Sequence, residues 1–206
     1  YEIMPSLVGS EMCIRDSFPS HPLALEWLRQ CPYVVCCDGA ANTYIRSGRM
    51  PEAIVGDGDS LLPDIKERYA SLIHSEAEQE TNDLSKAFRF CLSQERRRIT
   101  IMGATGKRED HTIGNVSLLA DYMEQAEVSM MTDYGIFVPI REDSMFESYI
   151  GQQISVFNMN STALSAEGLA YPLSVFTNWW QGTLNEALAR HFIIRTEGKV
   201  LVFRVF

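Results

Sequence analysis

Residues 32–60 read PYVVCCDGAANTYIRSGRMPEAIVGDGDS, and this stretch sets the fold class. It holds two short apolar runs, residues 32–37 and 53–55, each ending in an acid and a glycine: Asp38-Gly39 and Gly56-Asp57. A helix is expected to follow Asp38-Gly39. Further short runs occupy residues 71–74, 99–102 and 128–131. Between them lie helical patterns. Residues 21–28 place Leu23, Leu25 and Leu28 on an apolar face, residues 83–93 place Leu84, Ala87, Phe88, Cys91 and Leu92, and residues 111–123 place Ile113, Val116, Leu119, Ala120 and Met123. Short strands buried on both faces and alternating with helices predict an α/β layer: an open, mostly parallel sheet with flanking helices.

The texture changes after about residue 133. Residues 135–140, 153–158, 162–166, 191–196 and 199–206 read as strands separated by turn residues, and Glu197-Gly198 reads as a hairpin turn. The expected partner of the α/β layer is therefore a smaller C-terminal antiparallel β-sandwich. The domains expected are residues 18–133 and 134–206.

At 206 residues, with 46% hydrophobic and 22% charged residues, the chain is long enough for one or two ordinary globular domains and too apolar for disorder. Its 18 basic against 27 acidic residues give a net charge of −9, which argues against a nucleic-acid partner, since phosphate contacts draw on clustered Lys and Arg. The short run Arg96-Arg97-Arg98 reads as a solvated helix end. No stretch of about 18 apolar residues is present to span a membrane. Residues 1–17 lack the basic flank and apolar core of a secretory signal. Five cysteines, Cys13, Cys31, Cys36, Cys37 and Cys91, form no disulfide framework. Adjacent Cys36 and Cys37 point to opposite faces of a strand. Reduced thiols and a cytoplasmic location are the expectation.

Four motifs carry the chemistry. In Gly56-Asp57-Gly58-Asp59-Ser60, extended backbone puts both carboxylates on one face. At ~6 Å and an effective dielectric near 20 their repulsion is about 3 kcal/mol, which a hard cation such as Mg²⁺ relieves. A turn with exposed acids is the alternative. The segment 103–112, GATGKREDHT, joins a strand to a helix. Its glycines permit close approach to phosphate, the helix N-terminus offers N–H groups, and Lys107 and Arg108 add positive charge. It is neither a P-loop nor GxGxxG. Asp110 alternatively caps the helix, and His111 alternatively makes only a local hydrogen bond. Residues 79–87, QETNDLSKA, place Asp83 in a first helical turn with Thr81 as a cap, and residues 37–42, CDGAAN, repeat the strand–acid–glycine pattern. All four follow strands of the α/β half, at the sheet edge where ligands bind. Acids and one glycine-rich basic loop at that edge predict a site for Mg²⁺ and a polyphosphate nucleotide.

In order and spacing these motifs resemble those of thiamine pyrophosphokinases. The resemblance runs from about residue 18 to the end of the chain, and the pairing of GDxDS with GATGxRxDH is specific. It implies an α/β nucleotide domain, a C-terminal β-sandwich and a homodimer with thiamine at the subunit interface. It implies transfer of diphosphate from ATP to the thiamine hydroxyl, with Mg²⁺ and release of AMP. Carried over, Asp57, Asp59 and Asp83 are the metal and polyphosphate ligands. Asp38 sits beside the incoming hydroxyl and is the candidate to take its proton. Gln79, Gly103, Thr105, Gly106, Arg108, Asp110 and His111 handle ATP.

In the sandwich, residues 168–173 and 182–186 match the family loosely and assign Asn185 to thiamine, while Leu184 replaces the usual serine. Trp180, with Trp179, either stacks on thiamine or packs in an interface or core. Residues 1–17, YEIMPSLVGSEMCIRDS, lack the family's first strand and its Ala-Asn-Gly turn. They are expected to be a non-native leader that packs poorly, which pairing of Leu7-Val8 inside the sheet would contradict. The rival readings are a Mg²⁺-dependent nucleotide or thiamine phosphate hydrolase and a catalytically impaired nucleotide- or thiamine-binding protein.

Overall fold

A computed structural model describes residues 11–14, 18–76 and 80–206, with residues 11–13 described by backbone alone. The first half alternates strand and helix: β1 (Glu11–Ile14), α1 (Pro22–Gln30), β2 (Tyr33–Cys37), α2 (Ala40–Arg46), β3 (Ala53–Gly56), α3 (Pro63–Arg68), β4 (Ile73–Ser75), α4 (Asp83–Ser93), β5 (Arg98–Met102), α5 (Glu109–Tyr122) and β6 (Glu127–Met131). The second half is all strand: β7 (Gly135–Ile140), β8 (Ser144–Glu147), β9 (Gln153–Asn158), β10 (Leu164–Glu167), β11 (Asn185–Glu186), β12 (His191–Thr196) and β13 (Val200–Val205).

One sheet runs in the order β11-β9-β13-β7-β6-β5-β1-β2-β3-β4, and β10-β12-β8 form a second. From β4 to β6 all pairings are parallel, and from β6 through β7 to the β11 edge they are antiparallel. The alternation of side chains along each strand feeds two cores. Val35, Cys37, Val55, Ile101 and Met130 pack with Leu84, Phe88 and Cys91 of α4 and Leu119 and Tyr122 of α5. Val34, Cys36, Ile54, Met102 and Met131 pack with Trp27 and Leu28 of α1, Tyr44 of α2 and Ile65 of α3. Cys36 and Cys37 do face opposite sides, and Cys31, Cys36, Cys37 and Cys91 are thiols outside any disulfide. The sandwich core joins Ile154, Val156, Val200 and Val202 of the large sheet to Phe146, Leu164, Phe192 and Ile194 of the small one.

Several expectations are corrected. Residues 11–14 do not pack poorly: β1 lies between β2 and β5, with Met12 opposite Val34 and Thr100, and Ile14 is wholly buried. Leu7-Val8 lies outside the described residues. Glu197-Gly198 is not a hairpin turn, because β12 belongs to the small sheet and β13 to the large one; the segment arches between them. Helix α5 begins at Glu109, so Arg108 and not Asp110 is its N-cap, and Asn82 rather than Thr81 caps α4, accepting the Ser85 N–H at 2.9 Å. Helix α3, of six residues, and strand β8, of four, lie outside the sequence expectations, because each is too short for its periodicity to stand out from the flanking loops. The turn between β6 and β7, closed by Thr132 N–H to Gly135 C=O at 2.9 Å, carries the sheet unbroken past residues 133–134.

Candidate functional site

Parallel strands send every βα connection of the first half to one rim. The strand order also switches there: β2, β3 and β4 run outward on one side of β1, while β5 and β6 run outward on the other. Such a switch point opens a crevice at the carboxyl edge. The segments after β2, β3, β4 and β5 are the ones that carry Asp38, Asp57, Asp83 and Arg108.

Asp38 is the deepest of these groups, 5% exposed, with a φ of +20°. Its N–H donates to the Val55 carbonyl at 3.0 Å, which ties it to the end of β3. Its Oδ2 accepts the Ser60 N–H at 3.0 Å, whereas Oδ1 is buried without a hydrogen-bond partner. Burial pushes the Asp38 carboxyl above the usual carboxylate range. The Ser60 N–H pulls it back, while the charges of Asp57 and Asp83 add to the rise. Asp57 and Asp83, from two other segments, therefore lie close enough for their charges to act on Asp38. Gly56 makes the packing possible: with φ +155°, a Cβ there would stand 2.8 Å from the Asp38 Cβ.

The acidic loop after β3 is a turn and not an extended strand end, which corrects the premise of two carboxylates on one face. Asp57 accepts the Asp59 N–H at 3.0 Å, and Gly58 takes φ +76°. Asp59 instead lines an adjoining open cleft of about 460 Å³ with Gly58, Leu61, Pro63, Lys66 and Glu67. Sequence reasoning missed what holds this loop. The Asn42 amide donates to the Ser60 carbonyl at 2.8 Å and accepts the Leu62 N–H at 3.0 Å, and Lys66 Nζ donates to the Gly58 carbonyl at 3.0 Å. Asn42 stood in a quoted motif; its spacing to residue 60 carried no signal.

Asp83 opens α4, and Lys86 Nζ lies 3.7 Å from its Oδ1. The Cys37 thiol reaches the Asp83 carbonyl at 3.6 Å, tying the start of α4 to the end of β2. Gln79 lies outside the described residues.

The loop after β5 turns at Gly103 (φ +65°) and Gly106 (φ +88°), and buried Asn115 of α5 pins it by donating to the Ala104 carbonyl at 2.7 Å. Thr105 is partly buried, while Arg108, Asp110 and His111 are exposed. Arg108 chelates Asp110 through Nε to Oδ1 at 3.1 Å and Nη2 to Oδ2 at 2.6 Å. These hydrogen bonds hold the Asp110 carboxyl down at about 2. The His111 N–H donates to Asp110 Oδ1 at 2.9 Å.

In the sandwich, buried Asn185 spends its amide on backbone: it donates to the Tyr171 carbonyl at 2.8 Å and accepts the Tyr171 N–H at 3.0 Å and the Glu186 N–H at 2.9 Å. It thereby straps residues 168–171 to β11. Trp180 is 73% exposed, and Trp179 meets Phe157 edge-on at 5.9 Å. β11 stands five strand spacings from β5, about 24 Å along the sheet, so these residues do not share the carboxylate rim.

The donors at the rim are hard carboxylate oxygens whose mutual repulsion a divalent cation would relieve, so the residues fit Mg²⁺ chemically. Among the described residues, however, no three His, Cys, Asp or Glu side chains form a ready-made metal cluster. A cation here would complete its shell with phosphate oxygens and water.

A doubly wound α/β layer with a carboxylate rim, continuous through one sheet with an antiparallel sandwich, defines a two-part architecture. Its two parts correspond to two family descriptions: "Thiamin pyrophosphokinase, catalytic domain" matches residues 24–131 and "Thiamin pyrophosphokinase, substrate-binding domain" matches residues 135–203. The chain belongs to the thiamin pyrophosphokinase family. Thiamine pyrophosphokinase 1 of Oryza sativa subsp. japonica is 30% identical over 129 residues, covering 50% of this chain and 49% of that protein. The thiamine pyrophosphokinase of Bacillus subtilis is 34% identical over 86 residues, 40% of each. The chain thus spans about half the length of the curated relatives it matches. Among solved structures, thiamin pyrophosphokinase from Candida albicans superposes with a TM-score of 0.80 at 18% identity, covering 97% of this chain and 90% of that one. The Bacillus subtilis enzyme gives 0.80 at 19% identity, covering 95% and 98%. At such identities the superpositions establish the fold.

Proposed function

We propose that this protein is a thiamine diphosphokinase, which moves the β,γ-diphosphate of ATP onto the hydroxyl of thiamine and releases AMP. The observation that carries the reading is the buried Asp38 carboxylate, electrostatically coupled to Asp57 and Asp83 and with Oδ1 unpartnered, at the rim of a family-matched catalytic domain. Mg²⁺ held by Asp57 and Asp83 together with the phosphates would supply charge neutralisation on the transferred group, with Asp59, which lines the adjoining cleft, outside that ligand set.

The chain's own residues would do the rest. Thiamine oxygen attacks the β-phosphorus in line, the bond from that phosphorus to the α–β bridging oxygen breaks, and the oxygen leaves with AMP. Asp38 Oδ1 takes the hydroxyl proton; its raised pKa suits a group that must accept one. Arg108, released from Asp110, would bind phosphate, with the backbone of Gly103, Thr105 and Gly106 lining the same loop and Asp110, His111 and Gln79 completing the nucleotide contacts. No covalent intermediate is needed, so positioning and electrostatics account for the rate.

The thiamine side of this reading falls to the sandwich. Trp180 would stack on the cationic ring, and Asn185 would act through the strap it holds. Because those residues stand far from the carboxylate rim of the same chain, a homodimer that brings one protomer's sandwich to its partner's rim belongs to the proposal. The exposed run of Tyr171, Val175, Trp179, Trp180, Leu184 and Leu188 supports such an interface. A cytoplasmic location is part of the reading and rests on the cysteines being thiols and not disulfides; among the described residues no helix is long and apolar enough to cross a membrane.

The test is AMP release measured by chromatography with ATP and Mg²⁺, with and without thiamine. AMP that depends on thiamine, and that is abolished in Asp57→Asn, is the expected result. Equal ATP loss without thiamine would replace the reading with a hydrolase.

A further inference from the structure

Lys86 stands in the first turn of α4 and is 3% exposed. Two effects oppose a lysine there. Burial leaves its side chain little access to water, and the N-terminal turn of a helix carries positive partial charge. Its compensation inside the chain is thin: the Asp83 carboxylate is 3.7 Å from Nζ, beyond hydrogen-bond distance. Lys199 shows how this protein satisfies a lysine held for structure. Its Nζ donates to the Ala120 carbonyl at 2.7 Å and meets Glu124 Oε1 at 2.7 Å. Among the described residues Lys86 has no such pair of close contacts, and its ionic neighbour there belongs to the acidic rim, where the charge of Asp83 acts on Asp38.

We infer that Lys86 is a polyphosphate-anchoring residue, its ammonium exchanging the loose contact with Asp83 for an oxygen of the β- or γ-phosphate when nucleotide binds. The inference rests on the ATP reading given above. It accounts for the position: a buried cation becomes favourable once a polyanion enters a site of low dielectric, and a helix N-terminus then adds to the attraction instead of opposing it. It also predicts opposite signs for two ligands. Without nucleotide, Lys86 competes with a divalent cation for Asp83; with nucleotide, it assists binding.

The test compares wild type with Lys86→Met and Lys86→Arg by calorimetry, using three probes: an ATP analogue with a methylene bridge between the α and β phosphorus, AMP, and Mg²⁺ alone. In Lys86→Met, analogue affinity should fall at least tenfold and AMP affinity should stay within twofold. Mg²⁺ affinity should hold or rise, and the KM for thiamine should be unchanged. Lys86→Arg should retain analogue binding within a few fold. Analogue affinity unchanged in folded Lys86→Met, or an equal loss for AMP, overturns the inference. If Lys86→Met does not fold, Lys86→Gln makes the same comparison. Wild type supplies an independent measurement: inorganic triphosphate should shift the Lys86 side-chain NMR signals, and no shift overturns the assignment. A wild type that binds no analogue sinks the ATP reading itself, whereas thiamine-dependent AMP release with Lys86→Met intact in binding removes only the role of Lys86.

Discussion

Gly56→Ala is a direct probe of how the carboxylate rim is built. The new Cβ would stand 2.8 Å from the Asp38 Cβ where ordinary contact begins at 3.4 Å, so the two carbons must separate by about 0.6 Å. Neither side yields freely. Gly56 is the last residue of β3, buried in the parallel sheet, and Asp38 is tied to the Val55 carbonyl through its own N–H and to the Ser60 N–H through its carboxylate. Overpacking of this kind costs ~1–3 kcal/mol, and a φ of +155° adds ~1–3 kcal/mol for a residue with a side chain. A total of about 3 kcal/mol lowers Tm by roughly 6–12 °C in a chain of this size. Displacing Asp38 by about half an ångström should also lower turnover at least tenfold, since ~1 Å of misplacement costs ~10²-fold.

Gly48→Ala is the control: its φ is +85°, but a Cβ there meets nothing within 4 Å, so only the backbone cost of about 1 kcal/mol applies. The measurements are denaturant unfolding of both variants and AMP release. If Gly56→Ala proves no less stable than Gly48→Ala and turns over like wild type, the close approach of β3 to Asp38 is not what positions the acid.

Three further outcomes follow from the same geometry. Asp38→Asn should leave Tm at pH 8 unchanged or raised while removing activity. The folded-state pKa of Asp38 is raised above its unfolded value, first by burial, so the ionised form weakens the fold at neutral pH; that penalty fades as pH falls through the folded pKa. A marked drop in Tm would contradict this. NMR titration of the Asp110 carboxyl should give a midpoint at about 2, with the Arg108 chelate intact above the ordinary carboxylate range and lost as pH falls through that midpoint. Arg108→Ala should return the midpoint toward ~3.9, and an unmoved midpoint would show that the chelate is not its cause. Asn185→Ala removes two hydrogen bonds to Tyr171 and should cost about 2 kcal/mol. Faster amide exchange confined to residues 168–171 and 185–188 is the expected signature, and a uniform change across the sandwich would refute the strap.

The α/β half was legible in the sequence because its signals are local. A run such as residues 32–37, too short for a helix and closed by Asp38-Gly39, reads as a strand from its own composition, and Leu84, Ala87, Phe88 and Cys91 mark the buried face of α4 by spacing alone. The acid-and-glycine ends of these strands located the rim for the same reason. What pairs with what was not legible. Residues 11–14 carry no periodicity that announces a central strand; β2 and β5 make them one by supplying hydrogen-bond partners on both sides. Glu197-Gly198 looks like a hairpin because turn chemistry is local, while the choice of sheet for β12 and β13 depends on distant strands. Spacing likewise grouped Asp57 with Asp59, but with the turn at Gly58 the charge of Asp57 acts on Asp38 while Asp59 lines another cleft.

The sequence by itself therefore determined most of the elements, the family motifs and the chemical character of the rim, because periodicity, turn residues and side-chain type are properties of a few neighbouring residues. Only the tertiary structure decided which carboxylates meet, which lysine is buried beside them, and that Asn42, Gly56 and Asn185 hold other groups in place, because burial and contact arise from segments brought together by the sheet.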